Sequence, residues 1–308
     1  LHQAVGARTR IVVLNSPHNP TGKVLTAAQL DLLADAVEGT DAWVLSDEVY
    51  GPMVHDGREA AVPWRHPKLR VRTLVAGSFG KLFHATGWKI GWMAAPAELT
   101  RELRKVHQYD VFSTGAPFQE ALARHLVTED AQTHLRELGP IYQAKRDRLV
   151  QGLEGTAFTW QPAEGGYFQV LNVANHLLPG ESDRDLAMRW TRDHGIATIP
   201  MGAFGQVDPS VRVCFAKEDR TIDEVVAKLR AIPTASVVSV ARSQSGASSN
   251  PQAQDALRVV ALQADLHWQD PEANRTSFAA KLDEVLKEEA ADLVLLPEMF
   301  TTGFSMDT

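Results

Sequence analysis

Short apolar runs that end in turn-forming residues recur along the first third of the chain. In chain order they are "RIVVL", "AWVLSDEVYG", "VRTLVAGSFGK" and "KIGWMAAP". Apolar runs without strict alternation are typical of strands that are buried on both faces of a sheet. The pattern therefore predicts an α/β fold in which four strands form a parallel or mixed sheet covered on both faces.

A segment with helical periodicity follows the first of these runs. Thr26 and Gln29 have the spacing of a capping box, in which both side chains bond to the backbone where a helix begins. The apolar residues that come next recur on one helical face: Leu30, Leu33, Ala34 and Val37. We therefore predict a helix that begins after Thr26 and packs on the sheet.

The pattern changes in the second part of the chain. From about residue 117 to residue 153 it is helical and amphipathic, and we expect Pro140 to interrupt the helix. Two short strands, "GGYFQVLNV" and "VRVCFAKEDR", come later, and the spacing of Thr221 and Glu224 predicts the start of a last helix. These elements predict a smaller α+β unit that a long helical connection joins to the first.

Residues 234–256 are rich in Ser, Ala and Gln and lack periodicity, so we predict a linker. Beyond the linker, "LRVVALQADL" and "DLVLLPEMF" predict strands, and "SFAAKLDEVLKEEA" between them predicts a helix. Residues 257–308 therefore form the start of a βαβ unit in this interpretation. The sequence begins without Met and stops just after a strand, so we expect both ends to be cut.

Composition excludes several classes of protein. The 308 residues are 44% hydrophobic, which is enough for a core without metals or disulfides, and the net charge of −7 argues against nucleic acid as a partner. No apolar stretch is long enough to cross a bilayer, and we find no signal-peptide pattern. The single cysteine, Cys214, suits a reducing compartment, and its apolar neighbours predict that it is buried. We predict a soluble cytoplasmic protein.

Polar side chains follow three of the predicted strands. Asn19 comes after the first, Asp47 and Tyr50 after the second, and Ser78 and Lys81 after the third. In an open α/β sheet, ligands bind outside the carboxyl ends of the strands. We therefore predict that these side chains meet at one edge of the sheet and form a functional site.

Lys81 stands directly after a glycine-containing turn. A nucleotide-binding P-loop does not fit, because only two residues separate Gly77 and Gly80 and because Leu82, not Ser or Thr, follows the lysine. An ordinary surface lysine is the alternative that this stretch alone leaves open.

One cofactor, pyridoxal phosphate (PLP), requires this set of groups. A lysine amine forms a Schiff base with its aldehyde, which suits Lys81. A carboxylate such as Asp47 keeps the pyridine nitrogen protonated, so that the ring can act as an electron sink. Tyr50 and Asn19 can donate hydrogen bonds to the ring oxygen.

The phosphate of PLP requires a hydroxyl group and a cation. Ser78 and Lys89 lie on either side of Lys81 in the sequence and supply these two groups. Each residue alone is better explained by loop structure than by function. Their convergence on one edge of one sheet favours a cofactor site.

Four motifs in this order resemble a known family: "NSPHNPTG", "SDEVY", "SFGKLFHATGWKIGW" and "VRVCFAK". They are similar to the class I/II aminotransferases of the fold-type I PLP group, and within it to the methionine and kynurenine/glutamine transaminase branch. The resemblance implies that the residues named above have the roles given there, and that Lys81 also moves a proton between two carbons of the imine. It further implies that Arg212 binds the substrate carboxylate through a bidentate pair.

The resemblance also implies how the chain is divided. Residues 1–116 correspond to part of a PLP-binding large domain, and residues 117–233 to the interdomain helix and small domain. Family members carry a long preceding segment with a phosphate loop and an aromatic ring that stacks on the cofactor. We therefore expect the sequence to be truncated at its amino end, and expect the complete protein to be a homodimer.

The last segment has a separate resemblance. "LRVVALQADLHWQDPEANR" and "DLVLLPEMFTTGFSM" are similar to the opening of the carbon-nitrogen hydrolase (nitrilase) superfamily, in particular its omega-amidases. This implies that Glu298 is a general base. The superfamily nucleophile is a cysteine, and the only cysteine of the chain is Cys214, outside this segment, so we expect no catalysis from residues 257–308 alone.

The sequence thus predicts a PLP-dependent aminotransferase that moves an amino group from methionine, glutamine or an aromatic amino acid to a 2-oxo acid. A PLP-dependent carbon-sulfur lyase is one alternative, because the two motif sets overlap. A truncated fragment without activity is the other.

Overall fold

A computed structural model of the chain describes residues 4–235, the short segments 259–261 and 293–295, and residue 280. The chain divides into two compact units, Leu1–Gln244 and Ser245–Thr308. Nearly all of the described residues belong to the first unit. The domain boundaries predicted within it, and the linker predicted at 234–256, remain predictions.

The first unit contains a four-stranded mixed sheet in the order β1-β2-β3-β4. Strands β1 (Ile11–Asn15), β2 (Trp43–Asp47) and β3 (Thr73–Ser78) are parallel, and β4 (Gly91–Ala94) runs antiparallel to β3. The four predicted strands and the mixed sheet are confirmed. The three parallel strands end at the same edge of the sheet, which is where the candidate residues follow them.

Helix α1 (Ala27–Val37) connects β1 to β2 and begins at the predicted capping box. The amide of Gln29 donates to the Thr26 hydroxyl at 3.3 Å, and the Gln29 side-chain oxygen accepts from the Thr26 amide at 3.0 Å. The four apolar residues predicted on one face are all buried. This prediction is confirmed because both the cap and the periodicity are encoded locally.

The expectation of a sheet covered on both faces holds at β3, where Leu74 and Val75 point to opposite faces and are each 5% exposed, but it is wrong at the two edge strands. Ile11 and Val13 lie two residues apart on the same face of β1 and are 48% and 62% exposed. All four residues of β4, at the other edge, are exposed as well. Helix α1 covers only one face of this sheet among the described elements.

A single-turn helix, α2 (Phe79–Leu82), follows β3 directly and carries Lys81. After β4 come three helices, α3 (Ala97–Asp110), α4 (Ala116–Leu126) and α5 (Glu129–Gly152). The patterns discussed above did not predict α3, in which no residue is buried. Short 3₁₀ turns complete the connections at Pro63–Arg65, Arg70–Arg72 and Thr86–Trp88.

Pro140 does not interrupt the long helix, contrary to the prediction. Helix α5 continues through it, and the break lies instead before Thr128, whose hydroxyl accepts from the Ala131 amide at 3.2 Å and caps α5. Pro140 is exposed, so the carbonyl that loses its amide partner can turn to water. Buried residues along α5 keep the helix packed on both sides of the proline.

The second sheet of this unit is antiparallel, with the order β5-β7-β6. Strands β5 (Phe168–Asn172) and β7 (Ser210–Cys214) are the two predicted ones, and β6 (Ile199–Pro200) is a short addition. Helices α6 (Asp183–His194) and α7 (Asp219–Ala231) follow β5 and β7. The main core of the unit lies here and includes buried residues of α5, α6 and α7: Leu149, Trp190 and Leu229.

Helix α7 begins earlier than predicted. Its N-cap is Glu218, whose side chain makes no capping bond, so Thr221 lies inside the first turn and does not cap the helix. Lys145 of α5 donates to the Lys217 carbonyl and to Asp219, both at 2.8 Å, and this tertiary contact fixes the start. A local capping motif could not reveal it.

A buried arginine anchors the loop that follows β2. Arg146 of α5 makes a bidentate pair with Asp56 at 2.6 and 2.7 Å and also donates to the Ala163 carbonyl at 2.7 Å. This pair lowers the pKa of Asp56 and keeps the carboxylate charged. The loop carries Tyr50 at its start, so the pair holds the backbone near the candidate site.

The second unit is described by two strands that pair in parallel, β8 (Val259–Ala261) and β9 (Leu293–Leu295). Both fall within runs that the sequence predicts as strands. Of the helix predicted between them only Ala280 is described, and it is helical. Glu298 lies outside the described residues, so the βαβ unit and the general base remain predictions. Among the helices described, none is both long and apolar enough to cross a membrane.

A glycine at the contact between α5 and the anchored loop provides a test of this packing. A Cβ at Gly139 would lie 2.7 Å from the Val54 carbonyl oxygen, which is backbone and cannot move alone. We expect Gly139→Ala to lower the free energy of unfolding by about 1 to 3 kcal/mol, although alanine favours helix. Urea unfolding measures the change.

Gly6→Ala is the matched control, because no atom lies within 4 Å of a Cβ there and its φ is not left-handed. We expect it to change the free energy of unfolding by less than about 0.5 kcal/mol. Equal effects of the two substitutions would contradict the close approach of α5 to the loop.

Candidate active site

The carboxyl ends of β1, β2 and β3 bring the candidate residues together. The register pairs Asn15 of β1 with Asp47 of β2, and Asp47 with Ala76 of β3. Asn19 follows β1 by four residues and Ser78 ends β3. Polar groups from three neighbouring strands therefore lie at one edge of the sheet, as the sequence predicts.

Asn15 links two of these strand ends. Its side-chain amide donates to the Asp47 carbonyl at 3.1 Å, and its side-chain oxygen accepts from the Asn19 amide at 2.7 Å. The sequence analysis did not single out Asn15, because an asparagine at the end of a strand is ordinary turn chemistry. Its role is to position the backbone of the two candidate residues.

Arg212 reaches this edge from the second sheet. Its Nη1 donates to the Asn19 side-chain oxygen at 2.5 Å, and its guanidinium carbon lies 4.1 Å from the ring centre of Phe168 and 5.4 Å from that of Phe204. The two rings favour the cation and fix its plane. Within the described residues, its other guanidinium nitrogens make no hydrogen bond and can bind a carboxylate.

Tyr50 lies at the start of the loop after β2 and is only 4% exposed. Its ring meets Tyr167 edge-on at 5.1 Å and Phe168 at 6.0 Å. Burial raises the pKa of Tyr50, and its hydrogen bond with Tyr167 and the charge of Arg212 partly oppose the rise. The phenol therefore stays protonated at neutral pH and can donate a hydrogen bond.

Lys81 sits in the single turn of α2 and is half-buried. Its side chain makes no hydrogen bond or ion pair with the residues that the structure describes. It lines a cavity of about 460 Å³. The other aromatic and basic residues of the same wall are His84, Tyr142, Lys145, Tyr167 and Lys217.

The two residues predicted to bind phosphate flank this turn. Ser78 precedes α2, and its hydroxyl makes no capping bond to the helix. Lys89 is exposed and has a left-handed backbone, with φ of 55°, after the 3₁₀ turn at Thr86–Trp88. The Ser78 hydroxyl and the Lys89 amine can therefore bind a ligand. Among the described contacts, none joins these two side chains.

The structure adds residues that the sequence analysis missed and corrects one expectation. Tyr142 and Tyr167 were not singled out, because in sequence they look like core residues of a helix and a strand. Cys214 is exposed, and the prediction that it is buried is wrong. It lies two residues after Arg212 and therefore on the same face of β7.

Among the residues described, no group of three or more His, Cys, Asp or Glu side chains could hold a metal ion. The candidate residues themselves carry an amine (Lys81), a carboxylate (Asp47), a buried phenol (Tyr50) and a guanidinium (Arg212). Lys81 follows the third strand of a mixed sheet, and Arg212 of a second sheet bonds to Asn19 at the ends of its strands, in agreement with the motifs that resemble the fold-type I aminotransferases.

The chain belongs to the class I and II aminotransferases, because the model of that family matches residues 1–229. This confirms the family resemblance of the first part of the chain. The comparisons do not extend it to the nitrilase-like tail.

Curated relatives are similar over the same part. The methionine aminotransferase of Escherichia coli (strain K12) is 39% identical over 72% of this chain and 58% of its own length. A human protein, kynurenine-oxoglutarate transaminase 3, is 33% identical over 72% of this chain and 53% of its own length. The chain thus spans less than two thirds of each.

A solved structure agrees with the fold. The crystal structure of an Escherichia coli protein with methionine aminotransferase function superimposes with a TM-score of 0.70 at 37% identity. The match covers 74% of this chain and 60% of that one. The α/β aminotransferase fold with its mixed sheet is confirmed, and members of this family use PLP.

The linking role of Asn15 can be tested by unfolding. Asn15→Ala removes one hydrogen bond to the end of β2 and one to the segment after β1, and we expect the free energy of unfolding to fall by about 1 to 3 kcal/mol. Asn175→Ala is the control, because Asn175 makes one exposed bond, to the Ala157 carbonyl at 3.0 Å. A loss at Asn15 no larger than at Asn175 would contradict the linking role.

Proposed function

We propose that this chain carries the PLP-dependent catalytic residues of an aminotransferase, which moves an amino group from an amino acid to a 2-oxo acid. The main support, in a chain that belongs to this family, is the position of Lys81. Its amine makes no hydrogen bond or ion pair with the described residues and lines a cavity of about 460 Å³ beside Tyr167. Tyr167 in turn contacts Tyr50 and so connects the lysine to the strand-end residues.

The residues present fit PLP by their chemistry. The strand ends offer the carboxylate of Asp47 for a pyridinium nitrogen, and the phenol of Tyr50 and amide of Asn19 for a ring oxygen. Ser78 and Lys89 offer a hydroxyl and a cation to a phosphate. When bound, PLP supplies an electron sink that stabilises negative charge on the substrate carbon next to nitrogen.

The residues of the chain would divide the remaining work. The amine of Lys81 holds the cofactor and then moves a proton at the substrate carbon. The carboxylate of Asp47 stabilises a positive charge at the sheet edge. Arg212, oriented by Asn19, binds the substrate carboxylate through the nitrogens that remain free, and so orients the substrate.

We propose methionine, glutamine or an aromatic amino acid as the amino donor. Two similar proteins are named for methionine and for kynurenine. The cavity wall beside Lys81 includes Ile141, Tyr142 and Tyr167, which favours an apolar or aromatic side chain. A homodimer in the cytoplasm, with small-molecule substrates only, completes the proposal.

For residues 257–308 we propose the start of a carbon-nitrogen hydrolase of the omega-amidase type, with Glu298 as general base. An omega-amidase hydrolyses the 2-oxo acid amide that glutamine transamination releases, so the two activities would act in sequence. Cys214 is the only cysteine of the chain, so this segment contains no thiol nucleophile.

The first experiment is to incubate the chain with PLP, reduce with borohydride and locate the modified lysine by mass spectrometry. We expect about one label per chain, on Lys81, and its loss in Lys81→Ala. The matched control is Lys105→Ala, because Lys105 is exposed and, within the described part of the chain, forms an ion pair with Glu102 of α3 alone. Labels scattered over many lysines, and unchanged in Lys81→Ala, would contradict the proposed site.

A turnover assay then separates aminotransferase from carbon-sulfur lyase. We expect methionine consumption to require a 2-oxo acid and to fall by at least about 100-fold in Lys81→Ala, because the residue both holds the cofactor and transfers a proton. Release of ammonia and thiol without an oxo acid would identify the lyase instead. Labelling of Lys81 without any turnover would identify a fragment that binds the cofactor but is inactive.

A further inference from the structure

Two histidines connect the turn that carries Lys81 to helix α5. His134 of α5 bonds through Nε2 to the Leu82 carbonyl at 2.7 Å, and His84 bonds through Nε2 to the Tyr142 hydroxyl at 3.0 Å. We name these two contacts the histidine clamp. The first contact holds Leu82, the residue after Lys81, and the second holds His84. The clamp therefore fixes the backbone on the carboxyl side of the lysine.

The turn requires such external support. A helix of four residues is not stable alone, because its few internal hydrogen bonds do not offset the cost of nucleation. The Phe83 and Ala85 amides close it by donating to the Phe79 and Gly80 carbonyls at 2.9 and 3.1 Å, and the Phe79 amide donates to the Ile90 carbonyl, just before β4, at 3.1 Å. Contacts from another element must therefore fix its position.

The backbone at His84 is an independent sign of this support. Its φ of 54° lies in the left-handed region, which a residue with a Cβ rarely adopts. Such a conformation persists where the surroundings determine it. The hydrogen bond to Tyr142 and an edge contact with the His134 ring at 5.6 Å are the contacts that hold His84 there.

The clamp also joins the lysine to the aromatic cluster of the site. Tyr142 is buried and lies 5.5 Å from Tyr167, which contacts Tyr50 at 5.1 Å. His134 stacks on Phe83 at 5.6 Å. Movement of α5 would therefore move the Lys81 turn and the Tyr50 surroundings together.

We propose that the histidine clamp is a positioning device for Lys81, in which His84 and His134 fix the lysine-bearing turn on α5. The inference rests on the proposed function for its consequence, because the clamp matters to chemistry only if Lys81 holds the cofactor. A carbonyl oxygen can only accept, so His134 must donate from Nε2. His84 and Tyr142 can exchange the donor role without breaking their contact.

The clamp gives a pH dependence whose direction follows from its surroundings. His84 is faced by His134 and Tyr142 of α5 and by Lys81, and shares a cavity with three more charged groups: Lys145, Lys217 and Glu218. Burial, with His134 nearby, lowers the pKa of His84 below its ordinary value. The stability that the neutral His84 ring contributes is therefore complete above about pH 6.5 and is lost as the pH falls through its lowered pKa, because protonation places a charge on a partly buried ring. The contact with Tyr142 itself persists, because the imidazolium still donates from Nε2.

Amide hydrogen exchange of the chain without cofactor tests the clamp directly. Tyr142→Phe removes one hydroxyl from the pair, and we expect the Phe83 and Ala85 amides to lose about 3- to 10-fold of their protection at pH 7.5, the effect of one hydrogen bond. In a His84→Gly background the same substitution should have no further effect, because the contact is already gone. His107→Gln, at an exposed position of α3, should leave protection unchanged.

Equal effects of Tyr142→Phe in both backgrounds, or unchanged protection at Phe83 and Ala85, would overturn the clamp. The rate of Lys81 labelling by PLP should fall together with protection. If wild-type Lys81 takes no label, the proposed function fails, while the exchange result still decides the clamp.

Discussion

The hydrogen bond between Arg212 and Asn19 is the interaction on which the candidate site depends. It joins residues 193 positions apart, one on the second sheet and one after the first strand of the mixed sheet. A guanidinium bonded through one nitrogen and stacked on Phe168 keeps its remaining donors in a fixed plane. Loss of this contact would separate the group that binds a carboxylate from the strand ends that carry the other candidate residues.

Close packing around this contact leaves little freedom to the neighbouring backbone. A Cβ at Gly165 would meet the Met53 carbonyl oxygen and the Pro17 ring, each at 2.7 Å. Gly166, next to it, has a φ of 73° and donates to the Met53 carbonyl at 2.7 Å. The segment before Tyr167 is thus held against the loop after Tyr50.

The sequence predicts those parts of the fold that local patterns encode. Helix α1 and the four strands of the mixed sheet follow from capping, periodicity and turn residues, and the structure confirms them. The passage of α5 through Pro140, the start of α7 and the exposure of Cys214 depend on tertiary contacts, which no local pattern contains. At the candidate site, residues with a characteristic motif could be proposed, whereas Asn15 and Tyr142 act through partners distant in sequence. Their side chains resemble ordinary turn and core residues until those partners are known.

The described part of the site owes its geometry to bonds within its own elements. Asn15 fixes the ends of β1 and β2, Arg212 fixes Asn19, and α5 holds the turn of Lys81. The exposed face of β1 lies on a different surface from these bonds, because its outward residues alternate with those that pack on α1. The positions of the candidate side chains therefore depend on the strand ends and on α5, and not on contacts made by the exposed face of β1.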